Sequence, residues 1–156
     1  MAVSLARPKK GRLHAHKLTN YELGLYGSHG YLRERGRPET LSDLRHHGIL
    51  GYIQELIYAR ELDYIPQLSR DIAPWLTSSS LPAQMNMTLA GGGLCVLPRF
   101  LAHDREGLEQ VLPDAVRLVR SFWLVVHSEL RDLSRIRICS EFITEEVRTA
   151  GALFQY

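Results

Sequence analysis

Three short apolar runs constrain this chain more than any other feature: ILGYI at 49–53, LCVLP at 94–98 and FWLVV at 122–126. Each has the length of a strand, and none approaches the ~20 apolar residues a membrane helix needs. Unbroken apolar runs of this kind suit strands covered on both faces. Helix-forming segments separate them. From residue 48 onward strands and helices alternate, which argues for an α/β fold with a largely parallel sheet. The 156 residues suit one ordinary domain. With 45% hydrophobic and 23% charged residues, the chain is excluded from the disordered, collagen-like and mucin-like classes.

The local signals fill in the order of elements. AVSLA at 2–6 reads as a strand, and RPKKG as a loop around Pro8 and Gly11. RLHAHKL at 12–18 alternates like a strand. Thr19 and Asn20 are turn residues, so YELGLYG at 21–27 reads as a second strand. Ser28 can cap a short helix that stops at Gly36. Thr40 or Ser42 can cap another that stops at Gly48. The stretch 64–72 is helical in part, with Pro66 near the helix start, and PWLTSSS at 74–80 is a strand running into polar residues. LPAQMNMTLA at 81–90 is a helix with Pro82 in its first turn. A short helical turn, RFLAHD, follows LCVLP, and 116–127 is a long extended run. Ser134 can cap a last helix with Ile136, Cys139, Phe142, Ile143 and Val147 at helical spacing.

The chemistry candidates are few. Ser78, Ser79 and Ser80 close a strand directly before a helix. The free N–H groups of a helix's first turn attract anions, and ligands of open α/β sheets bind at the carboxyl ends of strands. Simple N-capping needs only one of the three serines. No GxSxG motif is present, which argues against a serine nucleophile. Gly91, Gly92 and Gly93 follow a helix and precede a strand, the reverse of a phosphate-loop order, so they read as a helix stop. His14, His16, His46 and His47 lack a third partner at a metal-like spacing, and no metal or cofactor is expected. Cys95 and Cys139 read as core residues, and their isolation with no export signal points to a reducing cytoplasm. Residues 1–20 carry five cations and no acid. With no aromatic near those cations they make a solvated loop, not a nucleic-acid platform.

Several stretches together resemble the effector-binding domain of LysR-type transcriptional regulators. AGGGLCVLPRFLA looks like that family's AGxGhxhLP turn, where h is apolar. SFWLVVHSELRDLSRIR is similar to its closing strand and helix, and ELGLYGSHGYLRERGRPETLSDLRHH to the opening of its second lobe. The resemblance implies a two-lobed fold of the periplasmic-binding-protein type 2 class. Residues 24–117 would form the complete second lobe, and 1–20 with 127–150 part of the first. By position it implies effector contacts from Ser78, Ser79, Ser80, Tyr52 and Gln54 on the second lobe and from Arg7 on the first.

The functional expectation is a sensing module, not an enzyme, that binds a small anionic or polar organic effector in the cytoplasm. DNA would be reached only through a winged helix-turn-helix domain that these residues do not contain, so Met1 reads as a start imposed within a longer regulator. The alternative is a free-standing solute-binding domain. Apolar surface on AVSLA and the last helix predicts a homo-oligomer.

Overall fold

The computed structural model describes residues 1–154. Among the described residues seven strands form: β1 (Ala2–Ser4), β2 (Leu13–Ser28), β3 (Ile49–Gly51), β4 (Leu76–Thr77), β5 (Leu94–Pro98), β6 (Leu108–Val111) and β7 (Leu118–His127). The α-helices are α1 (His29–Arg35), α2 (Ile65–Leu68), α3 (Leu81–Leu89), α4 (Arg99–Ala102), α5 (Ser134–Thr149) and α6 (Gly151–Phe154). The chain divides into two compact units. One is Leu23–Leu118; the other joins Met1–Glu22 to the chain from Val119 onward.

The 23–118 unit is built on β5, whose five residues are all buried. Its parallel pairing lies at the β4 end of the sheet. There β3 lies between β4 and β5, with Leu50 opposite both Leu76 and Cys95. The rest is antiparallel: β2 pairs β5 from Leu23–Pro98 to Tyr26–Cys95, and β6 from Leu25–Val111 to Ser28–Leu108. The largely parallel sheet expected from the alternation is therefore a mixed one. The short LEQV strand β6 carries two polar residues in its middle, which hid it in the sequence. Leu50, Cys95, Leu97, Ala102, Leu108 and Tyr26 form a buried cluster, with Leu81, Met85 and Leu89 of α3 packed on it.

Local chemistry sets the helix ends in this unit. Ser28 Oγ accepts from the N–H of Tyr31 and starts α1. The Asp43 carboxylate accepts from the N–H groups of Glu39 and Thr40, which holds the start of a 3-10 turn over Leu41–His46. The glycine run after α3 stops the helix. Gly93 has φ +140°, and a Cβ there would collide with the carbonyl oxygen of Gly48 and stand 2.8 Å from its carbon. That same carbonyl accepts from the N–H of Leu94 at 2.8 Å, so the close approach is how β5 is laid beside β3.

The second unit orders its strands β1–β7–β2, with β1 antiparallel to β7 from Ala2–Val125 to Ser4–Trp123. No turn forms at Thr19 and Asn20; β2 runs straight through them. The Asn20 Oδ1 accepts from Ser121 of β7 and Thr19 Oγ donates to the Asn20 carbonyl, so a strand satisfies both polar residues. Neighbouring strand pairing thus overrides their turn preference. Tyr21 stacks on Phe122 with ring centroids 4.3 Å apart. Helix α5 begins one residue earlier than a Ser134 cap requires: Leu133 holds the cap position, and its carbonyl accepts from Ile136 and Arg137. Ile136, Ile143 and Val147 are half-buried, but Phe142 is 63% exposed and Cys139 is exposed too. The expected core role of Cys139 is therefore wrong: three residues after Ile136, it lies at the edge of the Ile136–Ile143–Val147 face and is exposed.

Candidate effector site

The chain leaves β3 at Gly51 and returns only at β4. Between them lie Tyr52, two 3-10 turns (Gln54–Leu56 and Arg60–Leu62), α2 and the segment Ile72–Pro74. This excursion walls a cavity of about 370 Å³ at the carboxyl ends of β3 and β4. That is within the ~300–1,000 Å³ range of small-molecule sites. Its polar lining comes from Tyr52, Gln54, Glu55, Asp63, Tyr64, Thr77 and Gln84, and the remainder is largely isoleucine, leucine and proline.

Two tyrosines give the wall its shape. Tyr52 and Tyr64 meet edge to face, with centroids 6.0 Å apart and planes at 64°. Burial, aided by the neighbouring Tyr58 and Cys95, pushes the Tyr52 phenol up to about 12, and a hydrogen bond to Tyr64 only partly offsets this. At neutral pH Tyr52 is therefore an uncharged hydroxyl.

Gln84 ties the cavity to the core. It is only 1% exposed. Its Nε2 donates to the Ser78 carbonyl at 2.8 Å, and its Oε1 accepts from the Cys95 thiol at 3.4 Å. Cys95 is buried, which raises its thiol to about 12 and keeps it protonated. Such a thiol packs as a small apolar group and is a poor nucleophile.

The sequence-predicted residues are divided by this geometry. Tyr52 and Gln54 line the cavity. The three serines stand beside it, at the start of α3, and are outside its lining. Ser78 N–H donates to the Gly51 carbonyl and extends the β3–β4 pairing. Ser78 Oγ accepts from the N–H of Ser80 in a local turn, and Ser80 Oγ accepts from the N–H of Ala83 and caps the helix. Ser79 is exposed. Arg7 belongs to the other unit, where its guanidinium lies over the Trp123 ring, 5.6 Å from the centroid. Tyr64, Asp63, Thr77 and Gln84 were missed. Only Gln84 left a trace in the sequence, as a polar residue one turn after Ser80 inside a mostly apolar helix.

The wall has a sign. Glu55 and Asp63 line it, and no lysine, arginine or histidine does. The anion-binding expectation finds no cation here. Among the described residues no group of three or more His, Cys, Asp or Glu side chains could hold a metal ion. Nor is any helix among them long and apolar enough to cross a membrane.

A strand-end cavity in a mixed α/β unit fits many ligand-binding folds. The sequence profile described as the LysR substrate-binding domain matches residues 1–148. The chain belongs to this family. LysR proteins are transcription factors, not enzymes, and these 156 residues contain an effector-binding domain without a helix-turn-helix domain. The fold agrees. The regulatory domain of CrgA, a LysR-type regulator from Neisseria meningitidis, is similar with a TM-score of 0.78 at 24% identity, over 93% of this chain and 74% of that one. Full-length CrgA gives 0.77 at 21% identity, over 93% of this chain and 51% of that chain. The full-length virulence activator AphB of Vibrio cholerae gives 0.73 at 18% identity, over 90% and 50%. The LysR domain described here thus spans about half the length of these full-length regulators. No curated protein matches the chain in sequence.

Proposed function

We propose that this LysR domain senses a small organic effector in the cavity between β3, β4 and α2, and that its occupancy biases a DNA-binding domain carried by the complete regulator. The observation that carries this reading is the cavity's position at strand ends, with buried hydroxyl and amide groups set in an apolar wall. An effector acts only by binding one arrangement of the protein better than another. Ser78, Ser79, Ser80 and Arg7 are secondary candidates for contact: the serines flank the cavity, and Arg7 would act from the other unit. The test is a thermal-shift screen of small organic molecules against the wild-type chain and Tyr52→Phe. Specific stabilisation that weakens in the variant supports the site through linkage. Hits that stabilise both proteins equally refute it.

We also propose that the domain self-associates through α5, the natural partner being a second copy. Ile138 and Phe142 are 60% and 63% exposed, one helical turn apart. Arg135 and Glu145 extend the same stripe at either end. Arg135 opposes the helix dipole in a first turn that has no acid, whereas Glu145 is paired with Arg148 of the last turn. Two antiparallel copies would turn that handicap into a match: Ile138 meets the partner's Phe142, and Arg135 meets the partner's Glu145. Such an isologous contact closes as a dimer. Sedimentation equilibrium should show a dimer that Phe142→Glu dissociates. Arg135→Glu should weaken it, and Arg135→Glu with Glu145→Arg should restore it. A monomer at ~100 μM, far above the Kd of a stable dimer, refutes the proposal.

A further inference from the structure

We propose that the effector of this domain is a positively charged organic amine with an apolar body, selected by the acidic and aromatic wall of the β3–β4 cavity. This inference rests on the cavity being the effector site and adds the chemical class it takes.

Shape and charge carry the argument together. The largest part of the wall is apolar, from Ile53, Ile57, Leu62, Ile65 and Pro74. Such a surface stabilises a hydrocarbon body by removing it from water. The fixed charges on the wall are the carboxylates of Glu55 and Asp63, with no cation opposing them. A carboxylate or phosphate ligand would lose its hydration and meet two like charges. An ammonium group meets two opposite charges instead, and walls of low dielectric focus that field.

The aromatic pair adds to the same preference. The edge-to-face arrangement of Tyr52 and Tyr64 leaves ring surface in the wall, and cations are attracted to such faces. Tyr52 stays neutral at working pH, so it offers a hydroxyl without adding a third negative charge. The Gln84 amide is committed to Ser78 and Cys95. It therefore fixes the floor of the cavity and leaves charge selection to the two carboxylates.

The experiment uses three molecules that share one body and differ in charge: 2-phenylethylamine, 3-phenylpropanamide and 3-phenylpropanoate. Each is titrated by calorimetry against the whole chain at pH 7 in low salt. The expected result is binding of the amine at least ~tenfold tighter than of the carboxylate, a ratio that corresponds to ~1.4 kcal/mol. Glu55→Gln with Asp63→Asn should collapse that ratio. Ala73→Trp, which fills the cavity, should abolish all three. A carboxylate that binds as well as the amine, or a ratio unmoved by the double variant, overturns the amine assignment alone. Binding that survives Ala73→Trp, or no binding of any of the three, overturns it as well. If a molecule from the thermal-shift screen still binds and is lost in Ala73→Trp, the cavity reading stands without the amine.

Discussion

Replacing Gly93 by alanine tests the junction on which the cavity-bearing unit depends. Gly93 holds φ +140°, where an L-residue is strained, and the new Cβ would run into the Gly48 carbonyl. The strain is worth about 1–3 kcal/mol. Moving the carbonyl also loosens its 2.8 Å bond from the Leu94 N–H, at about 0.5–1.5 kcal/mol. The sum is a loss of about 1.5–4.5 kcal/mol, a large share of a typical domain's 5–15 kcal/mol. Urea denaturation followed by tryptophan emission measures it, because the Trp75 indole donates to the Gly92 carbonyl at 2.9 Å in the same turn. The matched control is Gly30→Ala in α1, where an added Cβ meets nothing within 4 Å; it should be neutral or stabilise by up to ~1 kcal/mol. If Gly93→Ala stays within ~0.5 kcal/mol of wild type, the level of an ordinary surface change, the packing argument at this turn is refuted.

Leu97→Ala removes a fully buried side chain from β5 and should cost about 2–5 kcal/mol in the same assay. Iodoacetamide at pH 8 should label Cys139 in the native chain and leave Cys95 unmodified until denaturant is added, since Cys95 is buried with its thiol raised to about 12; labelling of both at equal rates contradicts this. Burial holds His47 below its ordinary value of 6.5, with the nearby cations His46 and Arg35 adding to it and Asp43 opposing. The Tyr31 hydroxyl, which accepts from Gly48 N–H, lies 3.2 Å from His47 Nδ1 and suits a neutral ring. The unfolded chain therefore binds the proton more readily, and stability should decline as pH falls from about 7 through 6.5 and below. In His47→Gln that part of the decline should vanish; an identical melting-temperature profile from pH 7 to 5 contradicts it.

The sequence was most legible where local chemistry acts alone. The Ser28 cap, the Pro82 start of α3 and the Gly91–Gly93 stop are set by backbone requirements within a few residues, and the structure has them all. It was least legible where distant segments decide. Thr19 and Asn20 carry turn chemistry, yet Ser121, about a hundred residues away, gives Asn20 a partner inside a strand. Cys139 and Phe142 repeat at helical spacing, but only tertiary packing determines which half of an apolar band faces a sheet. The cavity shows the same limit. Tyr52 and Gln54 follow a strand end and could be read from position, whereas Asp63, Tyr64 and Gln84 come together only because the excursion from β3 to β4 folds back on itself.

The continuity of the 23–118 unit has a consequence for how the protein is made. That unit is one uninterrupted segment, whereas its neighbour is assembled from both sides of it. Chains emerge from the ribosome amino end first and fold by units. Residues 2–22 therefore wait for their β7 neighbour while the inserted segment completes its own core. Among the described residues, β7 is the neighbour that β1 and the first half of β2 then gain. Translation time between residues 23 and 118 thus separates β1 and the first half of β2 from their β7 partner in the nascent chain, a delay set by a part of the molecule those strands do not belong to.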